Sequence, residues 1–287
     1  VLKGHQDFNK IKQTMLLEQI EAASAYLKNE TGDFQPEFGI KLGTGLGSLV
    51  NEIEVNFSIS YTDIPGFPVS TVESHSGKLI FGKLSGKNIV CMQGRFHYYE
   101  GYSMQQVVFP VRVMKWLGVH TLLVSNACGS LNPDYKISDL MVIEDHISLF
   151  LPENPLRGKH VPEFGDRFPD MSEVYDSALL QRALDIAAAN GISAHKGVYV
   201  SVTGPQLETR SEYRILRQLG GDVVGMSTVP EVIAARQMDV RCFGLSVITD
   251  LGIPETLEKA ELSRIIAAAQ KAEPGMTLIM KELLTYL

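Results

Sequence analysis

The sequence predicts an α/β fold, a central β-sheet with helices on its faces, forming a single domain over residues 1–287. Two observations predict it. Between His120 and Thr249, strand-like runs alternate with helical ones, the pattern of a sheet wrapped by helices. No long Pro/Gly/Ser linker, charge block or internal repeat divides the 287 residues, and an apolar fraction of 45% is enough to fill a sizeable core.

The elements follow in order. Ile11, Met15, Leu16, Ile20, Ala23 and Leu27 recur at helical spacing, with Gly32 as the stop signal. Phe38 to Leu42 reads as a short strand running into Gly43-Thr44-Gly45-Leu46-Gly47. Leu79 to Leu84 and Asn88 to Gln93 form a hairpin about Ser85-Gly86-Lys87. Ser103 to Leu117 is helical and closes at Gly118, with a kink or late start expected at Pro110. Strands are expected at His120–Ser125, Leu140–Ile147, Lys196–Val202, Asp222–Met226 and Arg241–Thr249, and helices at 175–190, 210–219 and 229–238. Thr209-x-x-Glu212 and Thr228-x-x-Glu231 carry capping-box spacing, the second with Pro230 in the first turn. From Leu257 the chain is helical, with a kink or two helices expected at Pro274-Gly275. The proline-bearing stretch from Leu151 to Asp170 is the longest irregular region.

Composition narrows the function classes. A net charge of −7 opposes wrapping around a polyphosphate chain, so no nucleic-acid partner is expected. The apolar runs are too short to cross a membrane, and the first thirty residues lack a signal-peptide core, so a cytoplasmic location is expected. Cys91, Cys128 and Cys242 share no metal-site spacing and read as buried free thiols; no metal is expected.

Three stretches offer ligands for an anion. In Gly43-Thr44-Gly45-Leu46-Gly47, small residues let backbone N–H groups converge and Thr44 adds a hydroxyl, although the stretch would serve equally as a tight turn. Its spacing matches neither a nucleotide P-loop nor a dinucleotide fingerprint. Gln93 to Tyr102 places Arg95, a rigid fork for an oxyanion, beside His97, at the end of a strand. In Gly225-Met226-Ser227-Thr228-Val229-Pro230-Glu231, Ser227 precedes a helix N-terminus. Thr44, Arg95, His97 and Ser227 come with no nucleophile–base–acid arrangement, and inorganic phosphate is the ligand that fits them best.

Taken together, these stretches resemble the trimeric purine nucleoside phosphorylases from Phe38 to Thr249. Asn126-Ala127, Phe164-Gly165-Asp166-Arg167-Phe168-Pro169-Asp170-Met171, Gly204-Pro205-x-x-Glu208-Thr209 and the run from Gly225 to Val232 extend the match. The resemblance implies a twisted mixed sheet of the purine/uridine phosphorylase type. It implies phosphorolysis of purine nucleosides to free base and pentose 1-phosphate through a cation-like ribose, with phosphate as co-substrate and no cofactor. Phosphate would meet Thr44, His75, Arg95, His97, Ala127 and Ser227. Ribose would meet Tyr99, Met226 and Leu262, with Phe164 reaching in from a neighbouring subunit of a homotrimer. The base would meet Tyr199, Leu207, Glu208, Gly225 and Asp250; His97, Glu208 and Asp250 are the implied catalytic groups.

The chain departs from the family pattern at several of these positions. Thr44 replaces a serine, and Cys128-Gly129-Ser130 replaces a turn of smaller residues. Leu207 stands for an aromatic, Asp250 for an asparagine and Leu262 for a histidine. An ionised Asp250 cannot donate to purine N7, whereas a buried, protonated one can, so a raised pKa is expected there. Adenosine or methylthioadenosine as substrate is the alternative within the class, and a purine-binding protein without turnover is the alternative outside it.

Overall fold

The computed structural model describes residues 2–43, 46–69 and 77–287, with side chains described from residue 15 onward. Helix α1 (Leu2–Glu30) buries Ile20, Ala23 and Leu27, one face of the predicted repeat. Strand β1 (Phe38–Lys41) follows, then β2 (Glu54–Ser60), β3 (Lys78–Leu84) and β4 (Lys87–Gln93). The hairpin between β3 and β4 is as predicted, with Ser85 and Gly86 both at positive φ. Strand β2, absent from the sequence reading although Val55, Phe57 and Ile59 alternate with polar residues along it, is a largely exposed edge strand.

Helix α2 (Met104–Trp116) begins at a capping box, in which the Ser103 hydroxyl accepts from the Gln106 N–H and the Gln106 side chain accepts from the Ser103 N–H. It runs on through Pro110. Strand β5 (Thr121–Ser130), β6 (Leu140–Ile147), α3 (Ser177–Ala189), β7 (Ala194–Ser201), α4 (Arg210–Gln218), β8 (Val223–Gly225), α5 (Val229–Gln237) and β9 (Arg241–Leu251) then give the expected alternation. The last element corrects an expectation: α6 (Leu262–Tyr286) is one helix that contains Pro274.

The sheet is mixed. Its order is β2-β3-β4-β1-β5-β8-β7-β6-β9, and β9 also pairs with β5, so the second half closes on itself while the first half stays open. β1 runs parallel to both β4 and β5, and β5 runs parallel to β9, whereas β8 is antiparallel to β5 and β9 to β6. Two apolar layers result. One joins Ile20 and Leu27 of α1 to Val113 of α2, Val232 of α5 and the β-strand residues Phe81, Met92 and Val124. The other joins Ala183 of α3 and Ile279 and Leu283 of α6 to Ile40, Cys91, Leu123 and Leu245. Each Val, Leu, Ile, Phe or Met among them contributes roughly 1.5–3 kcal/mol by leaving water. All three cysteines are free and buried, as the sequence indicates. Among the described residues, no helix is long and apolar enough to cross a membrane.

Candidate functional site

The C-terminal ends of β1, β4, β5, β8 and β9 meet around one cavity of about 460 Å³. Its lining includes Gly43, Arg95, His97, Tyr99, Ala127 and Ser227, together with Leu207, Glu208, Gly225, Met226, Asp250 and Leu262. Most residues singled out in the sequence therefore share one wall. Gly43 is required by close approach: a Cβ there would lie 2.8 Å from Asn126 Cα and 2.9 Å from the Ser125 carbonyl oxygen.

Arg95, just beyond β4, is 1% exposed and its guanidinium is held on several sides. One terminal nitrogen donates to the Ser227 hydroxyl at 2.5 Å and the Thr228 hydroxyl at 3.2 Å; the other donates to the Ser125 carbonyl at 2.5 Å. Ser227 and Arg95 are thus directly joined across 132 positions of sequence. His97 Nδ1 lies 2.7 Å from a Glu100 carboxylate oxygen, which also accepts from the His97 backbone N–H at 2.8 Å, and the ring stacks on Tyr99 at 4.6 Å. An Nδ1–H donated to Glu100 leaves Nε2 as the acceptor of the neutral ring, suited to a protonated phosphate oxygen. Burial lowers the His97 pKa, with Glu100 acting in the opposite sense. Burial pushes the Tyr99 hydroxyl up to about 12, so it remains a donor.

The Thr228-x-x-Glu231 capping box does not form. Thr228 sits at φ 70, and its side chain makes no cap bond. Its hydroxyl instead accepts from Arg95 and, at 3.1 Å, from the Asn126 amide, while Glu231 pairs with Lys41 at 2.8 Å. The other box, at Thr209, forms as expected and positions Glu208 immediately before α4.

Asp250 is the penultimate residue of β9, with one carboxylate oxygen accepting from the Thr249 hydroxyl at 2.9 Å. Its second oxygen lies where a side chain at position 129 would be, 2.9 Å from a Cβ built there, so Gly129 makes room for it. Burial raises the Asp250 pKa, the direction expected from the sequence. Burial also raises that of Glu208, and the nearby Asp250 adds to the shift. The cavity thus carries the Arg95 guanidinium and a pair of carboxyl groups held toward their protonated forms.

Two expected contacts are not found in this geometry. Tyr199 is fully buried and is not part of the lining; its hydroxyl accepts from the Ser227 N–H at 3.4 Å, so it supports the loop from beneath instead of facing a base. Phe164 is 2% exposed and packs inside its own chain, edge-on to Trp116 at 5.5 Å and beneath the Arg112 guanidinium at 4.3 Å. The exposed aromatic of that stretch is Phe168. Thr44 and His75 lie outside the described residues.

Asn126, Thr228, Lys41 and Glu231 complete the site without having been assigned to it from the sequence. Among the described residues, no cluster of His, Cys, Asp or Glu is arranged to hold a metal ion.

Comparison with known proteins agrees with this geometry. The sequence model of the Phosphorylase superfamily matches residues 37–285. The chain belongs to the phosphorylase superfamily. Within this superfamily, it is 47% identical to purine nucleoside phosphorylase 1 of Bacillus subtilis over 92% of this chain and 97% of that protein. It is 44% identical to the purine nucleoside phosphorylase of Mus musculus over 93% of this chain and 95% of that protein. Among solved structures, Schistosoma mansoni purine nucleoside phosphorylase in complex with adenosine superposes with a TM-score of 0.89 at 40% identity, covering 94% of this chain and 97% of that one. The same enzyme in complex with inosine also gives 0.89 at 40% identity, covering 94% of this phosphorylase and 96% of that chain.

Proposed function

We propose that this phosphorylase is a purine nucleoside phosphorylase, converting a purine nucleoside and phosphate into free base and pentose 1-phosphate. The observation that carries this reading is the junction of Arg95, Ser227 and His97 on the same cavity as Glu208 and Asp250. The first group is built for an oxyanion, the second for the polar edge of a base.

In the reaction, the bond from C1′ to the purine nitrogen breaks, its electron pair leaves with the base, and a phosphate oxygen forms the new bond to C1′. Holding phosphate in line with C1′ is worth up to roughly 7–11 kcal/mol of barrier lowering. Arg95, Ser227, the Ala127 N–H and His97 hold the phosphate; Tyr99 and Met226 face the ribose. As negative charge builds on the purine, a protonated Asp250 donates to N7, and Glu208 accepts from the N1 edge. No cofactor takes part in this scheme, and the proposal includes the homotrimer and the cytoplasmic location expected from sequence.

A second reading has one observation in its favour. Asp250 is a carboxyl group where an amide is usual, and in its ionised form it accepts from a 6-amino group. Schistosoma mansoni purine nucleoside phosphorylase has been solved with adenosine as well as with inosine. Leu262 at the cavity replaces a polar contact to the 5′ position, which favours tolerance of 5′-modified ribose.

The test is release of free base from inosine, guanosine, adenosine and methylthioadenosine, with and without phosphate. The proposal expects release only with phosphate. Release without phosphate would indicate a hydrolase, and binding with no release at all would leave only a purine-binding protein.

A further inference from the structure

Lys41 is the last residue of β1, a strand flanked on both sides by β4 and β5, and it is fully buried. Its ammonium lies 2.8 Å from a carboxylate oxygen of Glu231, which is also fully buried, in the first turn of α5 directly after Ser227 and Thr228. Neither Glu231 oxygen nor the Lys41 ammonium has another hydrogen-bond partner among the described residues. The Lys41 carbonyl also accepts from the Arg95 guanidinium at 3.5 Å, so Lys41 touches Arg95 through its backbone and Glu231 through its side chain.

We propose that Lys41 is a positioning residue for phosphate: by neutralising Glu231 behind the anion site, it keeps that carboxylate from cancelling the Arg95 charge that the incoming oxyanion meets. The inference rests on the phosphorolytic reading above. Arg95, Lys41 and Glu231 sum to one positive charge. With Lys41 removed they sum to zero, and a buried carboxylate competes with phosphate for Arg95. In the intact site Lys41, Arg95 and His97 override burial and hold the Glu231 pKa below the ordinary carboxylate value. In Lys41→Met, Arg95 and His97 remain to oppose its protonation. Neither Lys41 nor Glu231 lines the cavity, so neither touches substrate. The effect should therefore fall on phosphate and spare the nucleoside.

The experiment is steady-state phosphorolysis by wild type, Lys41→Met, Glu231→Gln and the double variant, with KM measured separately for phosphate and nucleoside. Lys41→Met should raise the phosphate KM by roughly tenfold or more and change the nucleoside KM by less than about twofold, the scale of one uncompensated buried charge near an anion. The double variant, which carries no unpaired charge, should return the phosphate KM to within roughly threefold of wild type. Glu231→Gln alone should leave it equal or lower. Should Lys41→Met fail to fold, a phosphate KM raised roughly tenfold or more in the double variant, or raised in Glu231→Gln, still overturns the proposal. Equal shifts in both KM values, a double variant with a phosphate KM raised as far as that of Lys41→Met, or a raised phosphate KM in Glu231→Gln would overturn the proposal. A wild type with no phosphate dependence would instead refute the phosphorylase reading beneath it.

Discussion

The Arg95 guanidinium donates to the Ser227 hydroxyl at 2.5 Å, tying the end of β4 to the loop that opens α5. Two of the separate sequence stretches that suggested an anion ligand are therefore one physical object. Replacing Arg95 by lysine keeps a charge but loses the planar fork and with it the simultaneous bonds to Ser227, Thr228 and Ser125. Loss of two charge-assisted hydrogen bonds, about 3 kcal/mol, should lower kcat/KM for phosphate by roughly a hundredfold. Steady-state kinetics at varied phosphate would measure it, and a value within threefold of wild type would contradict the assignment.

Asp250 gives a pH prediction with a definite sign. Its folded pKa is raised above 3.8 by burial. Folding therefore favours the protonated form, and the stability this confers at low pH is lost as pH rises through the folded value. Asp250→Asn removes the titration, so its melting temperature should exceed that of wild type by more at pH 8 than at pH 4. Activity follows the same proton: phosphorolysis of inosine by wild type should decline as pH rises through the folded value of Asp250, and Asp250→Asn should flatten that decline. A wild-type inosine rate that stays flat would refute a donating Asp250.

For His97 the shift is downward. Burial disfavours the charged ring, while Glu100 partly restores it. The stability this ring contributes above its ordinary pKa of 6.5 is lost as pH falls through the lower folded value. Its ring resonance should titrate below free histidine by NMR, and Glu100→Gln should move the midpoint lower still. A midpoint that rises in the variant would show that Glu100 does not act on this ring.

How much of this was legible beforehand depends on whether a residue's partners were local. The hairpin at Ser85-Gly86 and the box at Thr209 rest on neighbours a few positions away, and spacing reveals such features. Thr228-x-x-Glu231 has the same spacing, but its partners are Arg95, Asn126 and Lys41, all remote, and they outcompeted the local cap. Lys41 shows the same limit. Beside Phe38, Ile40 and Leu42 it reads as the polar side of an alternating strand, and only the closure of the sheet around β1 shows that both faces are covered. The one available signal was a lysine in a short apolar strand that leads into a glycine-rich turn. Asp250 was found through the family resemblance, and its raised pKa was expected because an apolar strand leads straight into it.

Phe164 separates two accounts of the irregular stretch before Asp170. Packed against Trp116 and Arg112, it is a core residue of its own chain. Phe164→Ala should then cost about 3–5 kcal/mol of folding stability by denaturant titration. An unchanged stability with a raised nucleoside KM would show instead that the ring serves a neighbouring subunit's ribose site.

The most direct measurement is the position of a bound oxyanion. A crystal structure of this protein soaked in phosphate should show the ion within hydrogen-bond reach of Arg95, Ser227 and the Ala127 N–H, inside the cavity that also holds Asp250. An ion bound elsewhere at saturating phosphate, with that cavity empty, would contradict the account.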